Sequence, residues 1–136
     1  MTNQNNIDIP KVKTVDFPIL TNDLPEIVNI NYDLWTLRIS LSFEKIDRPI
    51  YVTFKRISGF RVLDEGNLLE FWNPAVRVPG WIWLVENGGW FDLEKLRGGF
   101  VESYHDNEFF IEYLIMAIND CISIFASCEP EIKDSE

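Results

Sequence analysis

The chain has 136 residues, 46% of them apolar and 14% aromatic, which fits one domain with its own core and excludes a disordered chain. The formal net charge is −10, and it is uneven: residues 1–63 carry eight Lys and Arg against seven Asp and Glu, residues 64–136 four against fifteen. That sign excludes nucleic acid as a partner, because phosphates call for Lys and Arg, and it points to a surface that meets a basic protein.

The N-terminus has no charged region followed by an apolar stretch, and no apolar run approaches the length of a membrane span. The expectation is a cytoplasmic protein with no membrane partner. Residues 1–31 are polar and punctuated by Pro10, Pro18 and Pro25, which predicts a partly extended arm with one short strand or turn of helix. Over residues 34–43, Trp35, Leu37, Ile39, Leu41 and Phe43 alternate with Thr36, Arg38, Ser40 and Ser42. A period of two is a half-buried strand with one wet face. Alternation returns at Ile50, Val52 and Phe54, so the two runs predict an antiparallel hairpin. Phe60 and Val62 continue a strand beyond an expected bulge at Gly59.

Asp64 to Asn67 reads as a turn, and Asn67 followed by Glu70 has capping-box spacing. Residues 68–72 then form one helical turn or a short strand. The run Trp81-Ile-Trp-Leu-Val85 predicts a buried strand, and residues 92–96 a short helix closed by Gly98 and Gly99. Residues 102–108 read as a wet acidic loop. The runs 109–118 and 121–128 form a hairpin around Asn119 and Asp120, two residues that tolerate positive φ. A helix over 108–118 competes, since Phe109, Glu112, Tyr113 and Met116 also fit a 3.6 period. Residues 131–136 read as a flexible acidic tail. The sum is a single α+β domain over residues 1–136. It is mainly antiparallel β-sheet, a curved sheet or small sandwich, with one or two short helices.

No catalytic signature stands out, and the expectation is a protein that is not an enzyme and needs no cofactor or metal. His105 is the only histidine. A Cys121–His105–Asp arrangement lacks the helix N-terminus or basic neighbour that activates a thiol, and both Cys121 and Cys128 read as buried thiols without a metal spacing. Trp81, Trp83 and Trp90 suggest an alternative, a sugar-stacking or small-ligand platform, since residues two apart on a strand share a face. Trp90, at a turn before Asp92 and Glu94, reads as an interface anchor. The expected partner-binding set is Asp64, Glu65, Glu70, Trp90, Asp92, Glu94, Glu102, Asp106 and Glu108. Asp64 and Glu70 also suit turn or cap roles, whereas Glu94, Glu102, Asp106 and Glu108 show no local backbone role.

The stretch Ile57-Ser-Gly-Phe-Arg-Val-Leu-Asp-Glu-Gly-Asn-Leu-Leu-Glu-Phe-Trp72, with Glu86-Asn-Gly-Gly-Trp90, Glu112-Tyr-Leu-Ile and Asn119-Asp-Cys-Ile-Ser-Ile124, resembles a family of small acidic bacterial immunity proteins. These are encoded beside polymorphic toxins, including those of contact-dependent growth inhibition. The resemblance covers roughly residues 50–128. It implies a protein that binds its cognate basic toxin domain, often a nuclease, and blocks the active site with an acidic surface. The motifs look like fold determinants, so no contact residue is carried across from the family.

Overall fold

Period-two alternation decides the first sheet. In the computed structural model, which describes residues 9–15, 23–97 and 111–134, the alternating run is strand β3 (Thr36–Ser42). It pairs antiparallel with β4 (Ile50–Lys55) on one side and β2 (Glu26–Tyr32) on the other. Leu37, Ile39 and Leu41 of β3 and Ile50, Val52 and Phe54 of β4 are buried. Each such side chain contributes about 1.5–3 kcal/mol when fully buried. Arg38, Ser40 and Tyr51 share the opposite, polar face.

The second sheet has five antiparallel strands in the order β1 (Lys11–Thr14), β6 (Ile82–Asn87), β7 (Ile111–Met116), β8 (Asp120–Ala126) and β5 (Gly59–Asp64). The four-stranded sheet runs β2, β3, β4 and β9 (Glu131–Lys133). The two pack face to face. Ile82, Tyr113, Ile115, Ile122 and Ile124 meet the apolar faces of β3 and β4 in one core. Phe54 lies 5.4 Å from Tyr113 and Phe43 lies 5.3 Å from Trp81 across that core, ring centroid to centroid. Such aromatic pairs add about 0.5–1.5 kcal/mol beyond their buried area. Burial pushes the Tyr113 phenol up to about 12, with Glu129 adding to the shift.

The predicted mainly antiparallel architecture is the observed one, and several local expectations are corrected. Trp35 is 73% exposed, because β3 starts one residue later and Trp35 sits in the turn before it. Gly59 is no bulge. The chain leaves the four-stranded sheet after Lys55, passes Arg56 at φ 56°, and enters the five-stranded sheet at Gly59. Asn67 caps nothing; it ends the 3-10 turn Glu65–Asn67, and a second 3-10 turn, Leu69–Phe71, starts from Leu68 with no side-chain cap. Residues 131–133 of the expected tail are β9, held to β4 by backbone pairing. The described part of the N-terminal arm contributes two strands to two different sheets rather than one short strand.

The turn after β7 has a second function that its sequence hid. Neither Asn119 nor Asp120 has positive φ. Instead the Asn119 side chain accepts the Ile27 N–H at 3.3 Å and donates to the Ile27 carbonyl at 3.4 Å, while the Ile118 N–H donates to the Pro25 carbonyl at 2.8 Å. The hairpin end of one sheet is thereby clamped to the start of β2 in the other.

Replacing Ile39 by Ala is expected to cost about 2–5 kcal/mol of stability in urea denaturation, as for a buried aliphatic residue. Trp35→Ala is expected to stay within about 0.5 kcal/mol of the parent. Equal losses for the two would place the indole in the core and refute the strand start at Thr36.

Candidate functional site

The five-stranded sheet is apolar on both faces, so its outer face needs its own cover. Toward the Met116 end, Leu68, Phe71 and Val76 pack on Val12, Trp83, Val85, Leu114, Met116 and Cys121. Toward the other end lies the short helix α1 (Trp90–Lys95), whose Phe91 and Trp90 pack on Phe125. Trp90 stacks on Phe125 with centroids 4.0 Å apart and planes 17° from parallel.

Helix α1 is capped from outside its own segment. Gly89 stands at the N-cap and offers no side chain. Glu112 of β7, only 7% exposed, fills that role: Oε2 accepts the Trp90 N–H at 2.8 Å and Oε1 accepts the Phe91 N–H at 3.0 Å. A Cβ at position 89 would lie 2.6 Å from Glu112 Oε2, so only glycine allows this approach. Gly88, at φ 77°, turns the chain into the cap, and its N–H donates to Asp92 Oδ2 at 2.8 Å. Burial pushes the Glu112 carboxyl up; the two N–H groups and Arg61 oppose that shift without cancelling it. Arg61 of β5 is itself pulled down by burial, against the carboxylates of Glu112, Glu70 and Glu94, and its guanidinium lies 5.1 Å from the Trp90 ring.

The expected partner-binding residues therefore separate into groups. Trp90, Glu94 and Glu70 converge on Arg61. Glu94 has local work: it accepts the Trp90 indole N–H at 3.0 Å and pairs with Arg97. Asp92 holds the turn at Gly88 and pairs with Lys95 at 3.8 Å. Trp90 opens the helix rather than standing free at a turn. Glu65 lies in the first 3-10 turn. Glu102, Asp106 and Glu108, like His105, lie outside the described residues.

Asp64 sits where apolar surface is open. A groove of about 470 Å³ is lined by Leu24, Gly66, Leu69, Trp72 and Ile118. Leu69 and Ile118 are strongly exposed there. Asp64 ends β5 two residues before Gly66, and its Oδ1 accepts the Gly66 N–H at 2.8 Å. Directly opposite Asp64 in the β5–β8 ladder is Asp120, two residues after Ile118. Like charges facing each other across a ladder destabilise it. Neither carboxylate forms an ion pair with another described residue. Asp120 was absent from the expected set because its sequence signal is that of a turn; the opposing pair is visible only in the register.

Trp81 and Trp83 form no platform. They are 2% and 0% exposed and belong to cores on opposite faces of the sheet, because β6 begins at Ile82 and Trp81 precedes it. Cys121 is buried, Cys128 is exposed rather than buried as expected, and no disulfide joins them. Among the described residues no group of three or more His, Cys, Asp or Glu is placed to hold a metal, and no helix is long and apolar enough to cross a membrane.

Glu112→Ala leaves two buried N–H donors unmatched and is expected to cost at least about 1–3 kcal/mol. The pH dependence has a defined sign. The folded carboxyl titrates above the ordinary value of 4.5, so the folded state holds its proton more tightly and this group's contribution rises as pH falls. The stability difference between the parent and Glu112→Gln is expected to shift in the parent's favour from neutral pH down to 4.5, and to level off below it. Urea melts across that range read the shift, and a difference moving the opposite way would show that the N–H bonds and Arg61 outweigh burial.

Compared with protein-family models, with curated proteins and with solved structures, the chain finds no match.

Proposed function

We propose that this chain is a binding protein of the immunity type. It neutralises a basic toxin domain by docking it on the acidic end of the sandwich, between Asp64, Asp120 and the groove of Leu24, Leu69, Trp72 and Ile118. The observation that carries the proposal is the ladder pair Asp64 and Asp120, with Asp64 bonded to Gly66, which lines the exposed apolar groove. Two carboxylates facing each other cost stability in the free protein. A Lys or Arg from a partner removes that repulsion, and an apolar neighbour of that cation fills the groove. An apolar anchor in a pocket with charges at its edge is the usual anatomy of a tight interface. The surplus of carboxylates over residues 64–136 adds long-range attraction and speeds encounter, which suits an inhibitor that must act before its target does. The resemblance over residues 50–128 supports the same class of partner and suggests a nuclease, whose cleft is basic because it holds phosphates.

Asp120→Lys separates function from stability. It places opposite charges across the ladder and is expected to stabilise the fold by about 0.2–1 kcal/mol. It is also expected to remove protection when the chain is co-expressed with the toxin encoded beside its gene. With the purified pair, stopped-flow association of the parent should slow markedly as salt rises, and that of the variant should be slower at every salt concentration with a shallower dependence. Full protection by a folded Asp120→Lys variant would sink the proposed docking end, and a salt-independent rate in the parent would remove the steering argument.

A further inference from the structure

Two adjacent apolar residues at the tip of the β2–β3 hairpin are, with Ile9, the most exposed large apolar residues among the described ones. Leu34 is 74% exposed and Trp35 is 73% exposed. Leu34 has φ 81°, a left-handed conformation that favours glycine. The turn is nevertheless fixed. Asp33 Oδ1 accepts the N–H groups of Trp35 at 3.0 Å and Thr36 at 2.8 Å, and the Arg56 N–H donates to the Trp35 carbonyl at 2.9 Å. A strained, branched residue and a bare indole are thus held out from the fold, where glycine and a polar residue would serve the turn better. Beside the tip stand two exposed cations, Lys55, which faces Thr36 in the ladder, and Arg56. Neither forms an ion pair with another described residue.

The same molecule carries the complement of this tip. The groove of Leu24, Leu69, Trp72 and Ile118 is apolar, and its about 470 Å³ are room for an indole with a leucyl side chain. Asp64 is bonded to Gly66 of its lining, and Asp120 faces Asp64 in the ladder. Tip and groove lie at opposite ends of β2. Pro25, just before the strand, is bonded to Ile118 at the groove, and Tyr32, its last residue, leads into the tip. Seven strand residues separate the ends by about 23 Å, so a chain cannot place its own tip in its own groove.

We infer that the occupant of the groove in the free protein is the Leu34–Trp35 tip of a second copy, with Lys55 and Arg56 set against Asp64 and Asp120. The contact is head to tail. It joins two different patches, so each added copy leaves a free tip and a free groove and the contact can be repeated along a chain. This takes from the proposed function only the groove as a docking surface. It adds a regulation: assembly covers the groove, and a tighter basic partner opens it by competition.

Sedimentation velocity over a concentration series tests this with the full chain. The parent is expected to form a growing series of species as concentration rises. A tip variant, Leu34→Gly with Trp35→Ser, and a groove variant, Leu69→Asp with Ile118→Asp, are each expected to be monomeric, with the parent's circular dichroism showing that they fold. Should the groove variant fail to fold, Asp64→Asn with Asp120→Asn takes its place. Mixing a tip variant with a groove variant leaves one intact tip and one intact groove, and is expected to give a one-to-one pair that grows no further. A parent that stays monomeric overturns the inference, as does a pair abolished by the tip variant alone, or a mixture that stays monomeric. The tip variant is expected to protect against the toxin as well as the parent does. A monomeric parent that still protects therefore ends this inference and leaves the docking proposal standing, while loss of protection in Asp120→Lys alone bears on the docking proposal.

Discussion

The five-stranded sheet has to be covered twice, and the rest of the structure follows from that. Its central strands β7 and β8 are buried along nearly their whole length. One face is closed by the four-stranded sheet, with an alternating strand pattern that needs nothing further. Among the described residues no sheet meets the other face. Those that cover it form short pieces, two 3-10 turns and a six-residue helix, that are too brief to be stable alone and depend on packing. Each piece needs an anchor from the sheet. Phe71 and Leu68 sink beside Trp83, with the Arg77 guanidinium 4.5 Å from the Trp72 ring above them. Helix α1 takes its N-terminal hydrogen bonds from Glu112, and the negative end of that carboxylate also complements the helix dipole.

That dependence sets how the acidic half is used. A carboxylate buried at a helix start needs more than its own charge to be stable there, and Arg61 supplies an opposite charge from the edge strand β5, across β8. Arg61 in turn draws Glu70 and Glu94 around it, and Trp90 fills the space between the guanidinium and Phe125. What reads in the sequence as an acidic aromatic surface is in large part the internal wiring of the outer face.

The legible part of the sequence was the part ruled by local period. The alternation at residues 37–43 and 50–54 gave both strands and their pairing, because one wet face leaves its mark in every second residue. The run at 81–85 was legible as buried but not as to which face each Trp used, since a strand covered on both sides carries no alternation. Non-local effects were invisible. Gly59 looks like a bulge because the slip in phase is real, but its cause is a change of sheet. The Asn67–Glu70 spacing suits a capping box, yet Glu70 is drawn toward Arg61 and Asn67 closes a 3-10 turn. Residues 131–133 have the composition of a fraying end and pair only because β4 offers an open edge. Segments far apart in the chain meet in space: Gly89 and Trp90 touch Glu112, and Asp64 faces Asp120.

Carboxylates that already hold a cation or a helix start can be told from the others by their partners, and the distinction is the basis of the proposed docking end. Asp92 holds a turn and a lysine, Glu94 an indole and Arg97, and Glu112 a helix start. A partner's cation arriving at any of these would have to displace an existing contact, and exposed pairs of that kind yield little net energy when exchanged. Asp64 holds only the N–H of Gly66, and neither Asp64 nor Asp120 pairs with a cation among the described residues. Like charges opposite each other in a ladder are unfavourable, so a cation set between them would relieve a cost and add an attraction in the same step. The apolar side chains beside them are also already exposed, so no internal contact has to be broken to reach them. In the proposed docking this end of the sandwich would therefore give the larger difference between bound and free states among the described residues, and such a difference, not the total count of charges, is what sets affinity.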